Sequence, residues 1–184
     1  MKSPSILMTL CLLLSACSPT QPPPDADTAP PLLQAAEDGD LPAIQRLIGG
    51  DSPVDQRDVC LWTPLMKAAL NGHADAARLL IEAGADVNLA DKGGYTPLML
   101  AASNNHAAVV DLLLEHGAEP DRREQTEGFT ALIWAAKRGH TEAVSRLLAA
   151  RADPSIRDLA GKRAVDHARE RGHAAVIALL ERQP

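Results

Sequence analysis

The chain has 184 residues and a formal net charge of −6, with 46% hydrophobic and only 2% aromatic residues. That length suffices for one domain with a continuous core, and with Trp62, Tyr95, Phe129 and Trp134 as the whole aromatic complement, the core must be built from Ala and Leu. The acidic balance argues against nucleic-acid binding.

Residues 1–16 do not belong to the fold. Lys2 supplies a short positive start, and residues 6–14 form an apolar run too short to cross a bilayer. The run ends in Leu14-Ser15-Ala16-Cys17. This end resembles a bacterial lipoprotein signal, which implies cleavage before Cys17 and a diacylglyceryl group on its sulfur. An ordinary secretory signal with an incidental Cys is the alternative. Ser18 follows the Cys, and by the family's sorting rule a residue other than Asp there implies the outer rather than the inner membrane. The N-terminal lipid is then the expected membrane contact, with the folded part facing the periplasm. Residues 17–30 read as a tether. Six prolines fall between Pro19 and Pro31, a composition that favours polyproline II with a reach of ~40 Å.

From residue 31 onward one pattern returns at a fixed period. Tyr95-Thr96-Pro97-Leu98-Met99-Leu100-Ala101-Ala102 reappears 33 residues earlier as Trp62-Thr63-Pro64-Leu65-Met66-Lys67-Ala68-Ala69, and 34 later as Phe129-Thr130-Ala131-Leu132-Ile133-Trp134-Ala135-Ala136. Fainter copies are Pro30-Pro31-Leu32-Leu33-Gln34-Ala35-Ala36 and Lys162-Arg163-Ala164-Val165-Asp166-His167-Ala168. Thr63 and Thr96 are suited to cap helix N-termini, with Pro64 and Pro97 in the first turn. Gly72 and Gly139 end short first helices where a left-handed residue is wanted, and Asn105 takes that place once. Second helices are predicted over 74–83, 107–116, 141–150 and 174–182, with apolar residues such as Ala77, Leu80, Val110 and Leu113 at helical spacing. A single helix pair cannot bury its apolar face, so stability has to come from stacking. The substitution of Glu181 for the apolar residue at Ile81, with the charges of Asp166, Arg169, Glu170 and Arg171, marks the last copy as a polar cap. The first copy lacks the Thr cap and is expected to fray.

Together with the Gly-His pairs Gly72-His73, Gly139-His140 and Gly172-His173 and the tail Gly84-Ala85-Asp86-Val87-Asn88, these motifs resemble ankyrin repeats. Met66, Met99, Ile133 and Asp166 stand where that family carries a His. The resemblance implies an all-α solenoid of stacked helix-turn-helix units with short β-turn fingers, in five repeats over 31–57, 58–90, 91–124, 125–157 and 158–184. It also implies a monomeric protein-binding module without catalysis, a scaffold or regulator of a periplasmic protein. An immunity or inhibitor protein that neutralises one enzyme or toxin is the alternative.

The residues point to no catalytic set, cofactor or metal. His73, His106, His140 and His173 occupy equivalent places in successive repeats, and helices stacked ~8–10 Å apart do not converge on an ion held at ~2 Å; turn and helix-start hydrogen bonding is the expected role. For a partner, the resemblance implies the concave face: Trp62, Tyr95 and Phe129 in a row before each Thr position, with Leu70, Asn71, Ser103, Asn104, Lys137 and Arg138 beside them on the first helices. Half-buried turn packing is the competing role for the three aromatics. Once Cys11 leaves and Cys17 is acylated, Cys60 is expected to be the last cysteine, either a tolerated, partly shielded thiol or a redox-sensitive, partner-bridging one. Charge is uneven: residues 31–129 carry 7 Lys/Arg against 16 Asp/Glu, whereas residues 130–184 carry 10 against 6. A polarity of this size can orient a charged partner.

Overall fold

The computed structural model describes residues 31–50 and 53–182. The signal, the tether and Cys17 therefore lie outside the described residues. Within them ten helices form five antiparallel pairs: α1 (Pro31–Asp38) with α2 (Leu41–Ile48), α3 (Pro64–Asn71) with α4 (Ala74–Glu82), α5 (Pro97–Ser103) with α6 (Ala107–Glu115), α7 (Ala131–Arg138) with α8 (Thr141–Ala149), and α9 (Ala164–Arg171) with α10 (Ala174–Leu180). The described residues contain no strand. First helices stack on first helices and second on second, and the first-helix layer is the more closely spaced of the two. The closer layer takes the shorter arc of a curved stack, so the first helices line its inner side. This is the all-α solenoid of stacked helix pairs that the resemblance to ankyrin repeats implies.

The helix boundaries follow from local chemistry. Thr63, Thr96 and Thr130 sit in extended conformation, and their hydroxyls accept the backbone N–H of Met66, Met99 and Ile133 at 3.2, 3.3 and 3.3 Å. Gly72 closes α3 in the left-handed region at φ 75°, and Asn105 takes φ 59° after α5. Where the fifth repeat replaces Thr by Arg163, Asp166 reaches back instead: its Oδ2 accepts the Arg163 backbone N–H at 2.9 Å and pairs with the same guanidinium. In the first repeat Asp40 caps α2 through Ala43.

Small side chains let the layers close. Ala68, Ala69, Ala101, Ala102, Ala135 and Ala136 are buried on the first helices, while Ala77 and Leu80, Val110 and Leu113, Val144 and Leu147, and Val176 and Leu180 carry the stripe of the second. Truncating Leu80 or Leu113 to Ala therefore costs on the order of 2–5 kcal/mol through lost transfer energy and a cavity. At the C-terminal end the stripe stops: Leu180 is buried, and exposed Glu181 pairs with Arg169.

Each finger before a first helix is knotted by one carboxylate. Asp58 Oδ1 accepts the N–H groups of Cys60 and Trp62, Asp91 Oδ1 those of Gly93 and Tyr95, and Asp158 Oδ1 those of Ala160 and Lys162, all at 2.8–2.9 Å. The finger before α7 is one residue longer and uses the longer acid. Glu124 accepts from Thr126, Glu127 and Phe129, which accounts for the 34-residue step in an otherwise 33-residue period. Neighbouring fingers join through backbone bonds from Lys92 to Cys60, Gln125 to Gly93 and Leu159 to Glu127.

Candidate functional site: the first-helix face

The four equivalent histidines link repeats. The Nε2 atoms of His73, His106, His140 and His173 lie 2.9–3.2 Å from the carbonyls of Glu37, Leu70, Ser103 and Lys137, each near the C-terminal end of the preceding first helix. There a helix leaves acceptors without an intrahelical donor. Among the described residues no group of three or more His, Cys, Asp or Glu is placed to hold a metal ion.

The first helices carry a column four residues beyond each cap position, occupied by half-buried Lys67 and by buried Leu100, Trp134 and His167. Trp134 is its centre. Its ring lies 6.0 Å from that of Tyr95 and 5.1 Å, edge-on, from that of Phe129, and Phe129 in turn meets the His167 ring at 5.0 Å. His167 Nε2 is 2.6 Å from Asp158 Oδ2. Burial pushes the Asp158 carboxyl up, but the amides of Lys162 and Ala160 and the His167 ring outweigh it and hold it below the usual range. Tyr95 is half-buried, and burial raises its phenol.

Cations cover this cluster. Lys137 Nζ lies 4.3 Å from the Phe129 ring centre and 5.5 Å from that of Trp134, with the Arg138 guanidinium 5.6 Å from Trp134. Burial first, then the nearby Arg171 and Arg138 charges, hold the Lys137 ammonium below its ordinary value. Further along, Lys67 lies over Trp62 at 5.2 Å and pairs with Glu37.

The residues expected to meet a partner divide on burial. Trp62, Tyr95, Leu70, Asn104 and Lys137 are half-buried, and Asn71 and Arg138 are exposed. Asn71 and Asn104 donate to carbonyls of their own and the preceding repeat, so their amides are fixed in place. Phe129 is corrected. At 2% exposure, between Trp134 and His167, it is core and not a surface anchor. Ser103 is corrected likewise, being 8% exposed with its hydroxyl given to the Leu100 carbonyl. Cys60 is buried and disulfide-bonded, with its partner outside the described residues, so the lone reactive thiol expected from cysteine count is not what the structure shows. Trp134, His167 and Arg171 are not among the partner residues that the sequence suggests; the signal for them is repeat register, Trp134 and His167 lying four places beyond the cap position and Arg171 eight, in line with Arg138. No helix among the described residues is long and apolar enough to cross a membrane.

Ankyrin-repeat models match the chain twice, a three-copy model over residues 32–124 and a many-copy model over residues 101–148. No curated protein matches it.

Proposed function

From the premise that the chain belongs to the ankyrin-repeat family, whose repeats are protein–protein interaction modules, we propose that it captures a protein partner on the first-helix face while lipid-anchored in the bacterial envelope. It acts there as a periplasmic scaffold or regulator and performs no catalysis. The observation that carries this reading is half-buried Tyr95, packed over the buried Trp134 ring, with half-buried Lys137 and exposed Arg138 beside that ring. Tyr and Arg are enriched among the side chains that dominate interface energies, and Tyr95 and Arg138 reach the surface on the first-helix side of a chain with few aromatics. Support for the anchor comes from Leu14-Ser15-Ala16-Cys17 and the proline-rich residues 18–30, and Ser18 favours the outer membrane.

The test is affinity capture from envelope extracts of a Gram-negative host with Tyr95→Ala combined with Arg138→Ala, beside Arg78→Ala on the exposed side of α4. The double variant is expected to lose the main partner while melting as the parent does, and the α4 variant to keep it. Loss with Arg78→Ala and retention by the double variant would place the partner on the opposite face.

A further inference from the structure

We propose that the C-terminal half of the first-helix face takes an acidic, extended peptide segment, its carboxylates held by Lys137, Arg138 and Arg171; this rests on the first-helix reading above and adds the partner's chemistry. The equivalent residues at the ends of α3, α5, α7 and α9 are Leu70-Asn71, Ser103-Asn104, Lys137-Arg138 and Glu170-Arg171, so positive charge appears only in the last two repeats. Glu170, the acid in that set, is engaged by Lys162 at 2.6 Å. No carboxylate pairs with Lys137, Arg138 or Arg171 among the described residues. Glu127 and Asp158 act on Lys137 only from a distance, and Asp158 is already committed to two amides and His167. Three neighbouring cations, one of them half-buried enough to be destabilised as a cation, are a site that gains from an incoming carboxylate.

A second observation points the same way. Trp134 Nε1 is buried and has no hydrogen-bond acceptor, although Lys137 and Arg138 flank the ring. A buried donor left without a partner destabilises the unoccupied site, and a shift of the ring that lets an incoming acceptor reach it relieves that. Spacing sets the shape of the segment. Stacked helices lie ~8–10 Å apart, and a polyproline II strand presents every third side chain on one side at ~9.3 Å, so carboxylates at every third residue match successive repeats. A long polyanion such as single-stranded nucleic acid is disfavoured, because its continuing charge would run onto the half of the stack that carries 16 Asp/Glu against 7 Lys/Arg.

The experiment uses the full chain and three fluorescein-labelled peptides, triple repeats of Glu-Pro-Ala, Gln-Pro-Ala and Lys-Pro-Ala, read by anisotropy, with an unlabelled oligothymidine as competitor. The Glu peptide is expected to bind, to weaken with salt, and to lose at least tenfold in affinity with Arg138→Glu and with Arg171→Glu, while Arg78→Glu and Arg157→Glu leave it within twofold. In a Trp62→Phe background its binding should also shift the Trp134 emission. Thermal melts confirm that each variant folds. Binding of the Gln or Lys peptide as tightly, with sensitivity to Tyr95→Ala retained, overturns the acidic chemistry and leaves the first-helix reading standing. Binding sensitive to Arg78→Glu but not to Arg138→Glu overturns both. Competition by the oligonucleotide at equal affinity, unchanged Trp134 emission, or no binding by any peptide overturns the proposal.

Discussion

The His106 ring stands directly on Gly72. Its Nδ1 lies 2.4 Å from the point a Gly72 Cβ would occupy, while its Nε2 lies 3.0 Å from the Leu70 carbonyl. The glycine that ends one helix is thus also the floor under the next repeat's histidine. His73 on Gly39 and His173 on Gly139 repeat the arrangement. Gly72→Ala therefore carries two costs: about 1 kcal/mol for a side chain at positive φ, and about 1 kcal/mol for the displaced His106 bond, the Leu70 carbonyl keeping only the Asn104 amide. Gly172 has a similar φ of 73° but nothing within 4 Å of its Cβ position. Gly172→Ala should show the conformational cost alone. Urea melts of the two variants should differ by at least ~1 kcal/mol, and equal losses would show that the histidine contact contributes nothing.

Arg151 has φ 63° at the place where Gly84 and Gly117 have φ 93° and 84°. It follows α8 in a conformation that disfavours a side chain, and among the described residues it makes no ion pair that would offset the strain. Arg151→Gly should stabilise the fold by on the order of 1 kcal/mol in urea melts. Leu61 is a second such place: its φ of 65° stands where Gly94, Gly128 and Gly161 occupy the other fingers. Leu61→Gly should act in the same direction, and no gain at either site would mean that the surrounding loop has adapted to the larger residue.

Arg151 breaks a periodic glycine, so its strain is legible in the sequence from Gly84 and Gly117 alone. Leu61 is the same kind of break, yet it sits in the finger, where the repeat comparison was anchored on the Thr and Pro that follow. The finger carboxylates were missed for a related reason. Asp58, Asp91, Glu124 and Asp158 are not all one residue type, and the extra residue after Glu124 puts that acid five places before Phe129 where Asp91 stands four before Tyr95. Helix bounds came out well because their signals are local: a hydroxyl three residues before an amide, or a glycine after an apolar run. Burial across repeats is not local. Nothing in the chemistry of Phe129 distinguishes it from Tyr95 until Trp134, His167 and Lys137 close around it. The disulfide at Cys60 was hidden because counting cysteines presupposes which of them leave or are modified.

Acidification should weaken the stack through His140. Burial, only partly countered by the bond to the Ser103 carbonyl, holds its ring below the ordinary value of 6.5. The folded state therefore favours the neutral imidazole, and the unfolded chain takes up the proton first. Stability from this site is fully present above the unfolded value and is lost as pH falls from there through the lower folded value. Urea midpoints taken from about pH 7.5 to about pH 5.5 should fall in the parent and fall less in His140→Gln, which removes the titration while retaining a donor. A parallel decline in both would assign the pH dependence to other groups.

The proposed anchor depends on the sulfur of Cys17. A diacylglyceryl group at Cys17 makes that sulfur a thioether, so lipid attachment and a disulfide between Cys17 and Cys60 exclude one another. Acyl chains bind bilayers at about 0.8 kcal/mol per buried CH₂, and two chains suffice for stable attachment. In a Gram-negative host, the parent and Cys60→Ala should both stay with washed membranes, and the lipid should appear as added mass on the peptide that begins at Cys17. Cys17→Ala should appear in the soluble periplasmic or unprocessed fraction. Cys60→Ala removes the disulfide-bonded cysteine and leaves Cys17 in place, whereas Cys17→Ala removes the sulfur proposed to carry the lipid, so the pair separates the two roles. Membrane retention of Cys17→Ala would overturn the anchor, and release of Cys60→Ala alone would show that the disulfide, and not the lipid, holds the protein there.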